Sequence, residues 1–320
     1  MRKSVVRYAV TVPWVVASVV SLFGCVTHED STQLTVVLSS EADIPAAINL
    51  LQVSVSSNGS TLGPYVTDLS RDSNGFFPQT VALIPQDESS ISQPVTVTVS
   101  GLYAGSTSSD PAPVVLRSAV VSYVEGHTLL LPMPLRMACF QTTCDGVGQS
   151  CIGGTCSPTT IESTSLVDYD PKYVYASSGG ACFDHVACLA SPVEVAIDPT
   201  DCTFDLPAGS VDSSGKVNVN AAVQWQAAPG RVIVLEGDDP NEGWTYSASN
   251  PTKGQVSPGV CKALMPGSGV ASVALSLYLS TACEAKSRLL PSCDSACNTG
   301  VYLSGVNGKT AGTCNDNTTN

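Results

Sequence analysis

The sequence predicts an all-β chain: a sandwich, a short disulfide-stapled connector and a second, disulfide-rich β-domain. Three observations lead there. Charged residues make up only 13% of the chain, while Val, Ala, Ser, Thr and Gly are abundant, which suits extracellular β-structure better than charged helices. Short stretches alternate apolar and polar with the period of two that a half-buried strand requires. The 13 cysteines are placed unevenly, with none between residues 26 and 138.

The chain opens with a leader. Arg2, Lys3 and Arg7 are followed by an uncharged run from Tyr8 to Phe23, and then by Leu22-Phe23-Gly24-Cys25. A positive start, an apolar stretch and a small residue before the cut describe a secretory signal peptide, residues 1–24. The run is short for a membrane-spanning helix, which needs roughly 20 apolar residues, and Pro13 interrupts it. The tetrapeptide resembles the lipobox of bacterial lipoproteins, with Phe23 bulkier than the usual residue at its position. The resemblance implies cleavage between Gly24 and Cys25, acylation of the Cys25 sulfur and attachment to a membrane through that lipid. Each buried CH₂ of an acyl chain contributes about 0.8 kcal/mol, so several chains together anchor a soluble domain firmly. Val26 follows the cysteine where an inner-membrane retention signal would carry Asp, which favours the outer membrane of a bacterial envelope. Residues 25–32 read as the lipidated tether.

Residues 33–137 read as one β-domain. Gln33 to Leu38 is a β-rich run, and Leu51 to Ser56 alternates before the turn signal Asn58-Gly59. Pro94 to Val99 alternates again. Val114–Val121 and Thr128–Leu131 supply the last strands around Glu125-Gly126, and Asn74-Gly75 marks another loop. Several short strands over about 100 residues suggest an antiparallel sandwich of immunoglobulin or fibronectin type. That length buries an adequate core without cysteines.

Residues 138–157 pack Cys139, Cys144, Cys151 and Cys156 among glycines. So short a segment cannot bury a core and must be stapled. Pairing Cys139 with Cys151 and Cys144 with Cys156 is favoured, and the segment reads as a stiff connector. Residues 158–320 carry Cys182, Cys188, Cys202, Cys261, Cys283, Cys293, Cys297 and Cys314. Strands are expected at Val193–Ile197, Val217–Asn220, Arg231–Leu235 and Val270–Leu279. Trp225 and Trp244 are assigned to the core, and Asn218 and Asn220 to a solvent face. Setting Cys25 aside leaves twelve cysteines, an even set that reads as disulfides in an exported chain. Cys293-x₃-Cys297 is half of a zinc pattern, but the chain holds only 3 histidines and the oxidising compartment favours bridges.

Beyond the lipobox, the chain resembles the cysteine-rich lipoproteins of myxobacteria. The likeness rests on the strand pair 114–121 and 128–135 running into Cys139, on Gly179-Gly180-Ala181 before Cys182-Phe183-Asp184-His185-Val186-Ala187-Cys188, and on Asp238-Asp239-Pro240-Asn241-Glu242-Gly243-Trp244. It brings no activity to assign to residues.

Charge and motif exclude several functions. Losing a leader that carries Arg2, Lys3 and Arg7 and no acid takes the net charge from −13 to −16, so nucleic acid is not a partner. Glu236-Gly237-Asp238-Asp239-Pro240-Asn241-Glu242-Gly243 is the densest acidic segment. Asp238, Asp239, Asn241 and Glu242 could offer oxygens to Ca²⁺, but the EF-hand spacing is absent, and a solvated hairpin loop is the preferred reading. Asp168 and Asp170 sit too close in sequence to flank a glycosidic bond at separations of about 5 to 9.5 Å. His185, between Cys182 and Cys188, is expected on an exposed or hydrogen-bonding loop. Gly308-Lys309-Thr310 lacks the glycine a phosphate loop needs five residues earlier, where Leu303 stands. Neither G-x-S-x-G nor H-E-x-x-H occurs. The sequence therefore points to a non-catalytic, lipid-anchored surface protein that needs no cofactor and could bind a glycan or protein ligand. The competing expectation is an exported hydrolase with a concave site and raised carboxylate pKa values near residues 236–243.

Overall fold

The computed structural model describes residues 31–69, 77–104, 113–247, 250–294, 297, 300–304 and 310–313. The predicted leader, Cys25, Asn74-Gly75, Gly308-Lys309 and Cys314 lie outside them. The chain is all-β, with a sandwich and disulfide-rich parts. In the first part, β1 (Gln33–Ser40), β2 (Leu50–Ser57), β3 (Ser60–Asp68), β4 (Gln79–Leu83), β5 (Val95–Leu102), β6 (Pro113–Val121) and β7 (Thr128–Leu135) form two sheets. Their orders are β4-β1-β7 and β3-β2-β5-β6. Alternation places Leu34, Val36 and Leu38 of β1, with Leu131 and Met133 of β7, in one core with Leu51, Val97 and Val99 of the other sheet. At the predicted turn, Asn58 and Gly59 both have positive φ, 50° and 75°, the backbone a two-residue hairpin demands.

One expectation is corrected: the sandwich is not purely antiparallel. β1 pairs in parallel with β7 over the full register Gln33↔Thr128 to Ser40↔Leu135. The first strand of the sandwich thus lies beside the last, an arrangement that local alternation cannot reveal. β7 also runs four residues past Leu131. Its Leu130 N–H donates to the Val167 carbonyl across the outer edge. Pro132 and Pro134 hold the next positions of that parity and carry no N–H, so the edge is closed to another strand.

The four-cysteine segment contains the hairpin β8 (Gln149–Ile152) and β9 (Thr155–Pro158). The bridges are Cys139–Cys151 and Cys144–Cys156, the pairing the spacing favoured. The segment is not a free-standing spacer. Ser150 Oγ accepts from Ser118 N–H at 2.8 Å, and Cys139 and Cys151 are buried. At the hairpin tip, a Cβ on Gly153 would sit 2.0 Å from the Asn241 carbonyl oxygen. The segment is a wedge between the two β regions.

The C-terminal region contains α1 (His185–Cys188), β10 (Val193–Val195), β11 (Thr203–Asp205), β12 (Asn220–Trp225), β13 (Arg231–Val234), β14 (Trp244–Ser247), β15 (Asn250–Val256), α2 (Pro258–Leu264), β16 (Ala274–Ser280) and β17 (Val301–Tyr302). The sheets are β10-β16-β12-β13-β17 and β11-β15-β14. The larger sheet is buried on both faces. Ala221, Val223 and Trp225 join the main core, while Ala222, Val232 and Val234 pack with Phe183, Leu189 and Val301 on the other side. That explains the unbroken apolar run at 232–235. Trp225 and Trp244 are core residues as expected, with the Trp244 ring 5.7 Å from that of Phe204. Cys182–Cys293, Cys188–Cys283 and Cys202–Cys261 staple the region, and Cys297 is also bridged.

The strand expected at 193–197 ends at Val195, and the one expected at 217–220 gives way to β12, which begins at Asn220. The 270–279 run narrows to β16, because the register slips between Gln224 and Trp225 and sets Trp225 opposite Ala274. That bulge turns Ala274, Leu277 and Leu279 inward and leaves Val273 and Leu275 exposed. Asn220 is not on a solvent face: it is fully buried. Its Nδ2 donates to the carbonyls of Cys283 and Glu284, and its Oδ1 accepts from Lys286 N–H. It acts as a bracket for the 283–286 chain. Asn218 is half-buried.

Candidate functional site

The outward face of β4-β1-β7 meets the C-terminal region across a cleft of about 440 Å³. The parallel register builds its floor, with Val37 beside Pro132 and Ser39 beside Pro134, and Leu130 next along β7. Val167 lies beside Leu130, whose N–H it accepts, and Leu166, Val174 and, from the other region, Leu289, Leu290 and Pro291 also line the cleft. The opposite end is ionic, because there β1 runs into Glu41 and β7 into Arg136.

Arg136 holds that end together. Its Nη1 donates to Glu41 Oε1 at 2.7 Å and its Nη2 to Glu236 Oε2. Lys286 Nζ donates to Glu236 Oε1 at 2.8 Å, and Met137 N–H donates to Glu41 Oε2. Burial is the strongest influence on Glu236 and pushes its pKa up, but Arg136 and Lys286 together outweigh it and hold the carboxyl at about 2. For Glu41 burial prevails over Arg136, and its pKa is raised. A second ion pair, Arg117 with Glu242, crosses between the regions beside this one.

The acidic segment 236–243 is therefore not a solvated hairpin loop. Glu236, Asp239 and Glu242 are buried, because the wedge and β6 press against them. Each carboxylate already has partners. Asp239 Oδ1 accepts from the N–H groups of Asn241 and Glu242. Asp238 Oδ1 accepts from Arg288 N–H at 2.8 Å. Glu242 Oε1 accepts from Arg117 and from Gly153 N–H. Asp239 has a raised pKa, from burial and then from Glu242. The four calcium candidates, Asp238, Asp239, Asn241 and Glu242, thus share a loop but not a focus. Among the described residues, no three His, Cys, Asp or Glu side chains converge on a point where a metal could sit.

His185 corrects its expectation. It is buried, at 4% exposure, on the one-turn α1 that Asp184 caps through Ala187 N–H. Its ring meets the Phe183 ring edge-on at 4.9 Å. Nε2 lies 3.4 Å from Ser292 Oγ, and Nδ1 has no hydrogen-bond partner. Burial, and then nearby Lys286, lower its pKa to about 3, so the imidazole is neutral. Cys182 and Cys188 on either side are both oxidised. Asp168 and Asp170 serve separate partners: Asp168 accepts from His127 Nδ1 at 2.9 Å, and Asp170 pairs with Lys172 at 2.6 Å.

Sequence reasoning missed Glu41, Arg117, Arg136 and Lys286. A signal for two sites existed in charges set inside apolar runs, Leu135-Arg136-Met137 and Leu235-Glu236. A charge so placed is either exposed by a turn or buried with a partner. No protein-family model, no curated protein and no solved structure matches the chain.

Proposed function

We propose that the chain is a lipid-anchored envelope protein, acylated at Cys25, that binds a ligand in the cleft between its β regions without transforming it. The leader, the lipobox and the even set of cysteines left by Cys25 support export and anchoring, and Val26 supports the outer membrane. One observation carries the non-catalytic reading: the buried ionisable groups of the cleft's polar end, Glu41, Arg136, Glu236, Asp239 and Lys286, are already held by an opposite charge or a backbone N–H. A general acid or base works best with a pKa near the ambient pH and a free route to the substrate. Glu236 at about 2 and His185 at about 3 meet neither condition.

Equilibrium dialysis against labelled envelope fractions (peptidoglycan fragments, polysaccharide and lipid) tests this. Saturable retention of one class, recovered chemically unchanged, is expected; recovery as cleaved product would replace binding by hydrolysis. That second reading draws on the concave site itself and on the raised pKa of Asp239 and Glu41, and it requires Asp239→Asn to abolish the product. Intact-mass measurement of the membrane-derived protein tests the anchor: diacylation is expected on Cys25 and absent in Cys25→Ala.

A further inference from the structure

We propose that the ligand of this cleft is an uncharged amphiphile: an aliphatic chain lying on β1 and β7, with a hydroxyl-bearing head beside Asp238 and Arg288. This rests on the reading of the cleft as a binding site and specifies its chemistry.

The groove is graded along its length. Leu130, Pro132 and Val37 form a hydrocarbon floor at one end, while Glu41, Arg136 and Lys286 stand at the other. From Leu130 to the end of β7 at Leu135 is five residues, about 17 Å at the rise of a strand, long enough for an extended alkyl chain. The space, about 440 Å³, falls in the range of small-molecule sites, which are mostly apolar with a few placed polar groups.

Competing ligands fit less well. A peptide adding itself as a strand would need N–H donors along the β7 edge. Leu130 has already given its N–H to Val167, and Pro132 and Pro134 have none. A free sugar would be expected to lie on aromatic faces, and Tyr173 is the sole phenol or indole lining the cleft among the described residues. A charged head would compete with pairs that are already complete, since Arg136 and Lys286 are bound to Glu41 and Glu236. Breaking a buried pair leaves a charge uncompensated. The exception lies at the rim. Arg288 Nε stands 3.9 Å from Asp238 Oδ2, with both side chains about half exposed. A cation and an anion too far apart to bond form a donor and an acceptor side by side. A hydroxyl, which donates and accepts, matches both without disturbing the buried pairs.

The test uses the full chain carrying Cys25→Ala, so that no acyl group of its own competes. Dodecyl maltoside is titrated calorimetrically below its micelle concentration, against laurate, dodecyltrimethylammonium and maltose. Saturable one-to-one binding of dodecyl maltoside is expected, at least ten-fold tighter than either charged probe, with none for maltose. Ser39→Trp, which fills the floor, should abolish it; Leu289→Asp, on the facing turn, serves if that variant does not fold. Binding of maltose alone, preference for a charged head, or binding unchanged in folded cleft variants overturns the proposal. If no alkyl probe binds while a dialysed envelope fraction still does, and Ser39→Trp removes it, the amphiphile is wrong and the binding cleft stands. If neither binds, both fall.

Discussion

The two β regions solve one problem by different means. Six of the seven strands of the sandwich are eight or nine residues long, and no cysteine occurs in it. Long ladders, with alternating burial along much of β1, β2 and β5, supply its core. The C-terminal strands are two to seven residues long, joined by loops that a ladder alone could not order. Disulfides close those loops and lower the entropy of the unfolded chain. The difference teaches that the two regions should fail under different insults, except where Arg136 ties them together.

The largest effect is expected at that tie. Arg136→Met strands Glu41 and Glu236 as buried carboxylates, and breaking such a pair costs about 3–5 kcal/mol. Denaturant melts followed separately in near-UV signals of each region should shift together; a shift confined to one region would show that the network is not a tie. Next comes Cys188→Ala with Cys283→Ala, which opens a loop of sequence separation 95 and should cost about 4 kcal/mol. Hydrogen exchange should rise mainly around β12 and β16 and much less in the sandwich.

Between pH 7 and pH 5 an effect of about 2 kcal/mol follows from His185. Its folded pKa of about 3 lies below the ordinary 6.5. The unfolded chain therefore binds the proton first, so stability is full above pH 6.5 and falls as the pH drops towards 3. His185→Phe should flatten melts between pH 7 and pH 5; an unchanged slope would mean the ring is solvated. Glu236 has the same sign at lower pH: its depressed pKa of about 2 contributes stability that is complete above about pH 4.5 and lost below. Glu41 and Asp239, with raised values, work in the opposite sense and blunt that loss. The smallest effect belongs to the sandwich. Gly59 has φ of 75° with nothing within 4 Å of a Cβ, so Gly59→Ala should cost about 1 kcal/mol through backbone strain alone. A larger loss would indicate a contact made by the hairpin tip.

Local signals read the sandwich well. Val95, Val97 and Val99 alternate in sequence and are buried in the structure, and Asn58-Gly59 turns where expected. What failed was non-local. The parallel pairing of β1 with β7 joins residues about 95 apart, and no window on either strand contains it. Asn220 looked like the polar face of a short strand, because the carbonyls it serves at 283 and 284 lie far along the chain. The candidate site was half visible. The acidic run at 236–243 was found, but its cations come from β6, the end of β7 and the loop at Lys286. A carboxylate's partner decides whether it binds calcium, catalyses or merely holds, and that partner is a tertiary fact.

The pairing of β1 with β7 also has a mechanical meaning. Any tension entering from the N-terminal side of Gln33 and directed along the strand meets β7 on one flank and β4 on the other. Both ladders then carry the load in shear, with their cross-links strained together rather than opened one by one. Such a strand is hard to peel. A domain tugged from its first residues yields only when a whole row gives way, because the first strand of the sandwich is bonded on both flanks.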